Sequence, residues 1–270
     1  MSYAFPMGGL PSQTTHPAGR AVFTPAYAFL PAITMRDIVT SFLPGWQGAR
    51  AWILARPMTG FAETFAQYAL ELAPQGGSDH PEPDPDAQAA LLVASGTAIL
   101  TIDGVEHALE TGSYAYIPAG AKWSLWNMAD APFQMHWVRK RYEPAIGQDR
   151  PTSFVTTDTA VAPTEMPNTD KWATTRFVEP DDLRHDMHVN IVTFQPGGVI
   201  PFAETHVMEH GLYVLEGTAR YLLNQDWVEV GPGDFMWLRA FCPQACIATG
   251  DTPFRYLLYK DVNRHPALGL

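Results

Sequence analysis

Apolar and polar residues alternate along this chain in short runs, each cut off by Gly, Pro, Asn or Asp. AILTID and GVEHALE flank Asp103-Gly104, a dipeptide that suits a tight hairpin turn. SYAYIPAG alternates next and stops at Pro118-Ala119-Gly120. Further on, RYLLNQ, DWVEVGPGD and FMWLRAF follow in the same order. Short strands with turn signals at this spacing predict an all-β barrel or sandwich. FAETFAQYALELA (61–73) is ambiguous by pattern, but its position matches MHVNIVTF further on, so it is predicted as strand.

The order repeats because the chain contains one unit twice. LLVASGTAILTIDG (91–104) and LYVLEGTARYLLNQ (212–225) share an apolar run, a Gly-Thr-Ala and an alternating tail. Gly96 and Gly217 stand 121 positions apart. The same offset relates Gly76-Gly77 to Gly197-Gly198, Val93 to Val214, Gly112 to Gly233, and Tyr114 and Tyr116 to Phe235 and Trp237. Two tandem barrels are therefore expected: a first over 51–143 and a second over 171–270. The Pro-, Thr- and Asp-rich stretch 144–170 would link them, and strands within 1–50 would pack on the first barrel.

Composition narrows the partners. With 17 basic against 28 acidic side chains the formal charge is −11, the wrong sign for displacing counterions from a nucleic-acid backbone. At 46% apolar residues the chain can build a sizeable core. The N-terminus lacks the basic start and apolar stretch of a secretory signal, and no run approaches the roughly 18 apolar residues of a membrane helix. Cys242 and Cys246 are too few for a disulfide framework, so a reducing, cytoplasmic setting and two small apolar residues are expected.

Candidate chemistry gathers in PFAETHVMEHGLYVLEG (201–217), where Glu204, His206 and His210 are spaced E-x-H-x3-H. One carboxylate and two imidazoles suit divalent Mn, Fe or Zn. HVMEH also fits a zinc-peptidase pattern that needs a helix, but Pro201 upstream and Gly211 leading into a strand leave no room for one. On a strand Glu204 and His206 share a face, and Gln244 on a neighbouring strand is the candidate fourth ligand. Moving back 121 positions gives Pro83, Pro85, Ala89 and Trp123, none of which ligates through its side chain. Scattered surface polarity would not separate the copies in this way.

Tyr256 and Lys260 lie four apart on one strand and share a face. Spacing leaves open whether that face is an interior, where Lys260 would need an anionic partner, or an exposed strand end. Tyr221 either lines the same pocket or fills core. His188, His107 and His136 read as structural.

ETHVMEHGLYVLEG, DWVEVGPGDFMWL and above all YLLYKDVNRHPAL resemble the (S)-ureidoglycine aminohydrolase family of bicupins, and RDIVTSFLPGW near the N-terminus is also similar. The resemblance implies two jelly-roll cupin barrels, a metal-free first copy, and Mn2+ or another divalent ion on Glu204, His206, His210 and Gln244. It implies substrate contacts at Glu204, Gln244, Tyr256 and Lys260, a pocket role for Tyr221, and hydrolysis of a small anionic substrate, (S)-ureidoglycine, by a homo-oligomer. Catalytic roles are expected of Glu204, Tyr256 and Lys260. Two other readings predict different chemistry. An oxygenase or decarboxylase would consume O2 or release CO2, and a non-catalytic binding bicupin would hold no metal.

Overall fold

The computed structural model describes residues 21–37, 41–261 and 264. Among the described residues strands dominate, with one helix of six residues, Ala32–Asp37, and a 3-10 turn at Pro57–Thr59. The chain forms two barrels packed face to face, and the strands of one recur in the other. Ala98–Ile102 and Val105–Leu109 form the hairpin expected around Asp103-Gly104, and Ala219–Leu223 with Asp226–Val230 repeat it at the same offset. Gly96 and Gly217 both adopt the left-handed region, with φ of 83° and 70°. A side chain at either would run into a proline carbonyl, Pro132 in one copy and Pro253 in the other. Only glycine fits that turn, which is why the Gly-Thr-Ala marker recurs.

The repeat is not free of gaps. Leu72 pairs with Phe133 in the first copy, and Phe194 pairs with Phe254 in the second. Phe133 and Phe254 are related by 121, but Leu72 and Phe194 are related by 122. The early strands Phe65–Ser78 and His188–Phe194 therefore carry an offset of 122. Gly76 and Gly198 are counterparts, each accepting a backbone N–H, from Asn127 and Ala248 respectively. The 121 expected between the Gly-Gly pairs is thus corrected by one position. The first copy holds an extra residue between Ser78 and Ala89, inside its acidic, Pro-rich segment.

Three apolar clusters fill the molecule. One lies inside the first barrel, around Leu70, Leu100, Trp123, Leu125 and Trp137. A second lies inside the other barrel, around Val192, Phe194, Leu212, Val214 and Tyr221. The third is the seam between them, where Tyr114 stacks on Phe177 and Phe65 on Tyr259, each at 3.9 Å between ring centroids. Each fully buried side chain of this size is worth about 1.5–3 kcal/mol of apolar transfer. Strict alternation in His188–Phe194 sends even-numbered residues into the second barrel and odd-numbered ones into the seam.

The two ends of the chain segments outside the repeat depart from expectation. Tyr27–Leu30 pairs with Phe235–Leu238, so this N-terminal strand completes the second barrel, while Gln47–Ala55 alone joins the first through Phe65–Ser78. The apolar pattern at 21–33 cannot distinguish two barrels with similar edges, and chain length permits either. Within 144–170, Phe154–Thr157 pairs with Ser113–Ile117 of the first barrel, and Thr164–Glu165 pairs with Trp172–Thr175 of the second. Positions 1–20 and 38–40, which hold part of the N-terminal resemblance, lie outside the described residues.

Candidate metal centre

Residues 201–209 run as irregular backbone into the strand His210–Glu216, with no helix among them. Glu204 is fixed by a reciprocal pair of 2.9 Å backbone hydrogen bonds with Gln244, which starts the strand Gln244–Ala248. This bridge brings the predicted fourth donor beside the first. The His206 carbonyl accepts the Phe241 N–H at 2.6 Å, tying the loop to the turn before Gln244. Glu204 Oε1 lies 3.3 Å from His206 Nε2, and the His206 and His210 rings stand 5.3 Å apart. The four side chains thus border one region. Among the described residues, no three His, Cys, Asp or Glu side chains stand together as a ready-made chelating group.

His210 is buried, and its Nδ1 has no hydrogen-bond partner. Burial first, then the charges of His206 and Lys260, push its imidazole down to about 3. It is therefore neutral, the form in which imidazole ligates a metal. Gln244 Oε1 accepts a 2.8 Å hydrogen bond from the Tyr221 hydroxyl, which fixes the orientation of the amide. Tyr256 meets Tyr221 edge-on, ring centroids 6.0 Å apart, and burial raises both phenols well above their ordinary value. One carboxylate, two imidazoles and an amide oxygen form a donor set that fits a divalent ion.

Lys260 lies directly opposite both His210 and His188 in the sheet, so all three share the interior face. The two readings left open by spacing are resolved in favour of the interior. Burial, and next the nearby Arg176, lower the Lys260 ammonium. His188, expected to be merely structural, belongs to this row, and its Nε2 is buried without a partner. Burial is the main cause that brings its imidazole down to about 4, with Lys260 adding to it. Asn190, one step along the same face, has an unpartnered Oδ1. A sequence signal for both existed, since polar residues alternate there with seam residues; without the sheet register it could not be told from surface polarity.

Glu209 was also missed. Its buried carboxylate accepts from the Thr64 N–H at 2.9 Å, the Thr64 hydroxyl at 2.6 Å and the Trp237 indole at 2.6 Å. The first barrel thereby grips the strand that begins at His210. Its neighbour Asp261 accepts the Glu209 N–H at 2.9 Å, and burial raises the Asp261 carboxyl to about 6.

The comparison between copies must be redrawn in register. Ala89 and Trp123 remain the counterparts of His210 and Gln244, because the 121 offset holds on those strands. The extra residue falls between Ser78 and Ala89, so the counterpart of Glu204 is Glu82 on one side of it and Pro83 on the other. Glu82 is not idle. It takes both Arg139 Nε, at 2.6 Å, and Arg139 Nη2, and Arg139 is the counterpart of Lys260.

A family model described as the cupin domain matches residues 69–139 and again 190–259. The chain is 33% identical over 236 residues to the (S)-ureidoglycine aminohydrolase of Arabidopsis thaliana, covering 87% of this chain and 76% of that protein. It is 30% identical over 233 residues to the enzyme of that name from Escherichia coli (strain K12), covering 86% and 88%. A crystal structure from Pseudomonas aeruginosa, described as a glyoxylate-induced protein, superposes with a TM-score of 0.88 at 59% identity, covering 100% of this chain and 99% of that one. The chain is a bicupin and belongs to the (S)-ureidoglycine aminohydrolase family.

Proposed function

We propose that the second barrel is the catalytic unit and that the chain hydrolyses (S)-ureidoglycine, with one water, to (S)-ureidoglycolate and ammonia. The observation that carries this reading is a donor set in one barrel only: His210 and Gln244, beside Glu204 and His206, stand where its twin is packed with Ala89 and Trp123.

Glu204, His206, His210 and Gln244 would hold a divalent ion, with Mn2+ the expected occupant. Such an ion supplies Lewis acidity toward the amine and carboxylate borne by one carbon. The chain's own residues then divide the remaining work. Lys260 binds the carboxylate from the opposite strand. Tyr221 holds the Gln244 amide in one orientation, and Tyr256, packed against Tyr221, orients the ureido end or the attacking water. Glu204 accepts a proton from the attacking water and returns it to the departing nitrogen, so that C–N gives way to C–O and ammonia leaves. The low proton affinity of His210 keeps a competing proton off that ligand.

The test is ammonia release from freshly generated ureidoglycine by chelator-stripped protein, with and without added Mn2+. Ammonia in stoichiometric yield, dependent on the metal, is expected. Oxygen uptake or CO2 release without ammonia would move the chain to another cupin chemistry.

Among the described residues no helix is long and apolar enough to cross a membrane. The homo-oligomer is a proposal supported by exposed apolar side chains such as Phe23, Phe202 and Phe241, and light scattering on the purified chain tests it.

A further inference from the structure

The mouth of the second barrel holds a cation that the active-site reading has not used. Trp172–Thr175 pairs with His188–Phe194 so that Trp172 faces Phe194 and Thr174 faces Val192, both inside the barrel. Trp172 confirms the direction by stacking on Phe194 at 5.5 Å. Thr175 faces Ile191 and Phe177 packs into the seam, so odd positions point away from the interior. Arg176 directly follows the last paired residue, between two that point away from the interior, and its charge reaches both Lys260 and His188 of the interior row. It is half-buried, and its Nη2 donates to the Met166 sulfur, a weak acceptor, at 3.9 Å.

Two cations therefore look into one polar interior, and neither Arg176 nor Lys260 has an ion-pair partner among the described residues. Asp182, the carboxylate on that side, is already engaged by Arg184 at 2.8 and 2.7 Å. Glu204 is engaged with His206. The stretch 262–270 carries no Asp or Glu side chain. Like charges brought together and partly desolvated are costly unless an anion joins them.

The first barrel shows the same place with its charges closed. In register, the counterparts of Arg176, Asn190 and His188 are Ile53, Tyr68 and Ala66, and the counterpart of Lys260 is Arg139. At that mouth Glu82 neutralises Arg139, and Arg56 stands exposed at the rim of the same cavity. The second mouth engages neither of its two half-buried cations with a carboxylate among the described residues, leaving Asn190 Oδ1 and His188 Nε2 unpartnered beside them.

We propose that Arg176 is a substrate-binding residue of this site, forming with Lys260 a two-cation clamp on the substrate carboxylate. The proposal rests on the reading of the second barrel as the catalytic unit. A planar guanidinium offers two parallel N–H donors to a carboxylate, which an ammonium cannot. The clamp selects small α-carboxylates over their neutral amides.

The test uses the Mn2+-loaded full chain and two unreactive probes, ureidoacetate and its neutral amide, with binding read by calorimetry. Wild type should prefer the acid. Arg176→Gln should weaken the acid about 10- to 100-fold, the range for a hydrogen bond to a charged group, and leave the amide within about threefold. Arg176→Lys should keep part of the preference. On ureidoglycine, Arg176→Gln should raise KM and leave kcat within about threefold. The clamp is overturned if Arg176→Gln keeps the acid preference, or if Arg176→Lys weakens acid and amide alike. Should wild type prefer the acid yet release no ammonia from ureidoglycine, the substrate assignment falls while the clamp stands.

Discussion

Where the first barrel inserts the Trp123 indole, the second places the Gln244 amide, and where the first has Ala89 the second has His210. Around these exchanges the scaffolds coincide, down to the left-handed glycines at Gly96 and Gly217. The first interior is a close-packed set of Trp, Tyr and Leu with Arg139 at its mouth neutralised by Glu82. The second leaves buried polar atoms of His188, Asn190 and His210 without partners, where the first interior leaves the Trp137 indole N–H. Each such atom costs about 1–3 kcal/mol in a folded protein. The comparison shows how a duplicated fold can carry that cost. One copy supplies apolar packing and the seam, and through Thr64 and Glu209 it also holds the start of the other copy's ligand strand.

The most severe way to break the contrast is to import the first barrel's residue into the second. His210→Ala should lower turnover by more than about 100-fold, beyond what loss of an outer partner of a ligand costs, and abolish tight metal retention. Metal content and ammonia release measured together check this, and retained metal with retained turnover would remove His210 from the ligand set. Next, Lys260→Met should raise KM for ureidoglycine about 10- to 100-fold. Unchanged KM and kcat would place the carboxylate elsewhere.

The reverse operation is to empty the first barrel. Trp123→Ala should cost about 3–5 kcal/mol of stability through the cavity it leaves, with kcat/KM of the folded protein nearly unchanged. A denaturant titration beside a turnover assay separates the two quantities. An equal loss of catalysis would make the first interior part of the active site.

The seam offers the smallest effect. Burial lowers the His136 imidazole to about 4, and its ring packs on Tyr213 at 4.2 Å. The unfolded chain therefore binds this proton more readily than the folded one. Stability from this group is complete above about pH 6.5 and is lost as pH falls towards about 4, by up to about 3 kcal/mol. His136→Leu should flatten that acid limb, as unfolding curves at pH 7 and pH 4.5 would show. An unchanged slope would assign the acid sensitivity to other groups.

Much of this was legible in the residues. Alternation, Asp103-Gly104 and the recurring Gly-Thr-Ala are local signals, and they gave strands, a hairpin and a duplication that the structure bears out. The association of Glu204 with Gln244 was expected because a strand returning after the turn at Gly233 comes back beside the ligand segment, and a backbone bridge joins the two. Arg176, His188, Asn190 and Glu209 were not readable. Each is a single polar residue whose meaning depends on the strand opposite it, and pairing partners such as His188 and Lys260 are 72 positions apart.

The one-position slip between copies teaches the same point from the other side. Sequence similarity aligned Gly76-Gly77 with Gly197-Gly198, since identical dipeptides match wherever the gap is put. Only hydrogen-bond register places the extra residue later, between Ser78 and Ala89, and lets Glu82 stand opposite Glu204. By itself the sequence determined the strand content, the duplication and which copy carries metal-ligating residue types, because these follow from local periodicity and side-chain chemistry. The tertiary structure decided which barrel the N-terminal strand completes, which face Lys260 occupies and which cations are left without a carboxylate. Those are outcomes of strand register, where a shift of one residue turns a side chain from interior to exterior.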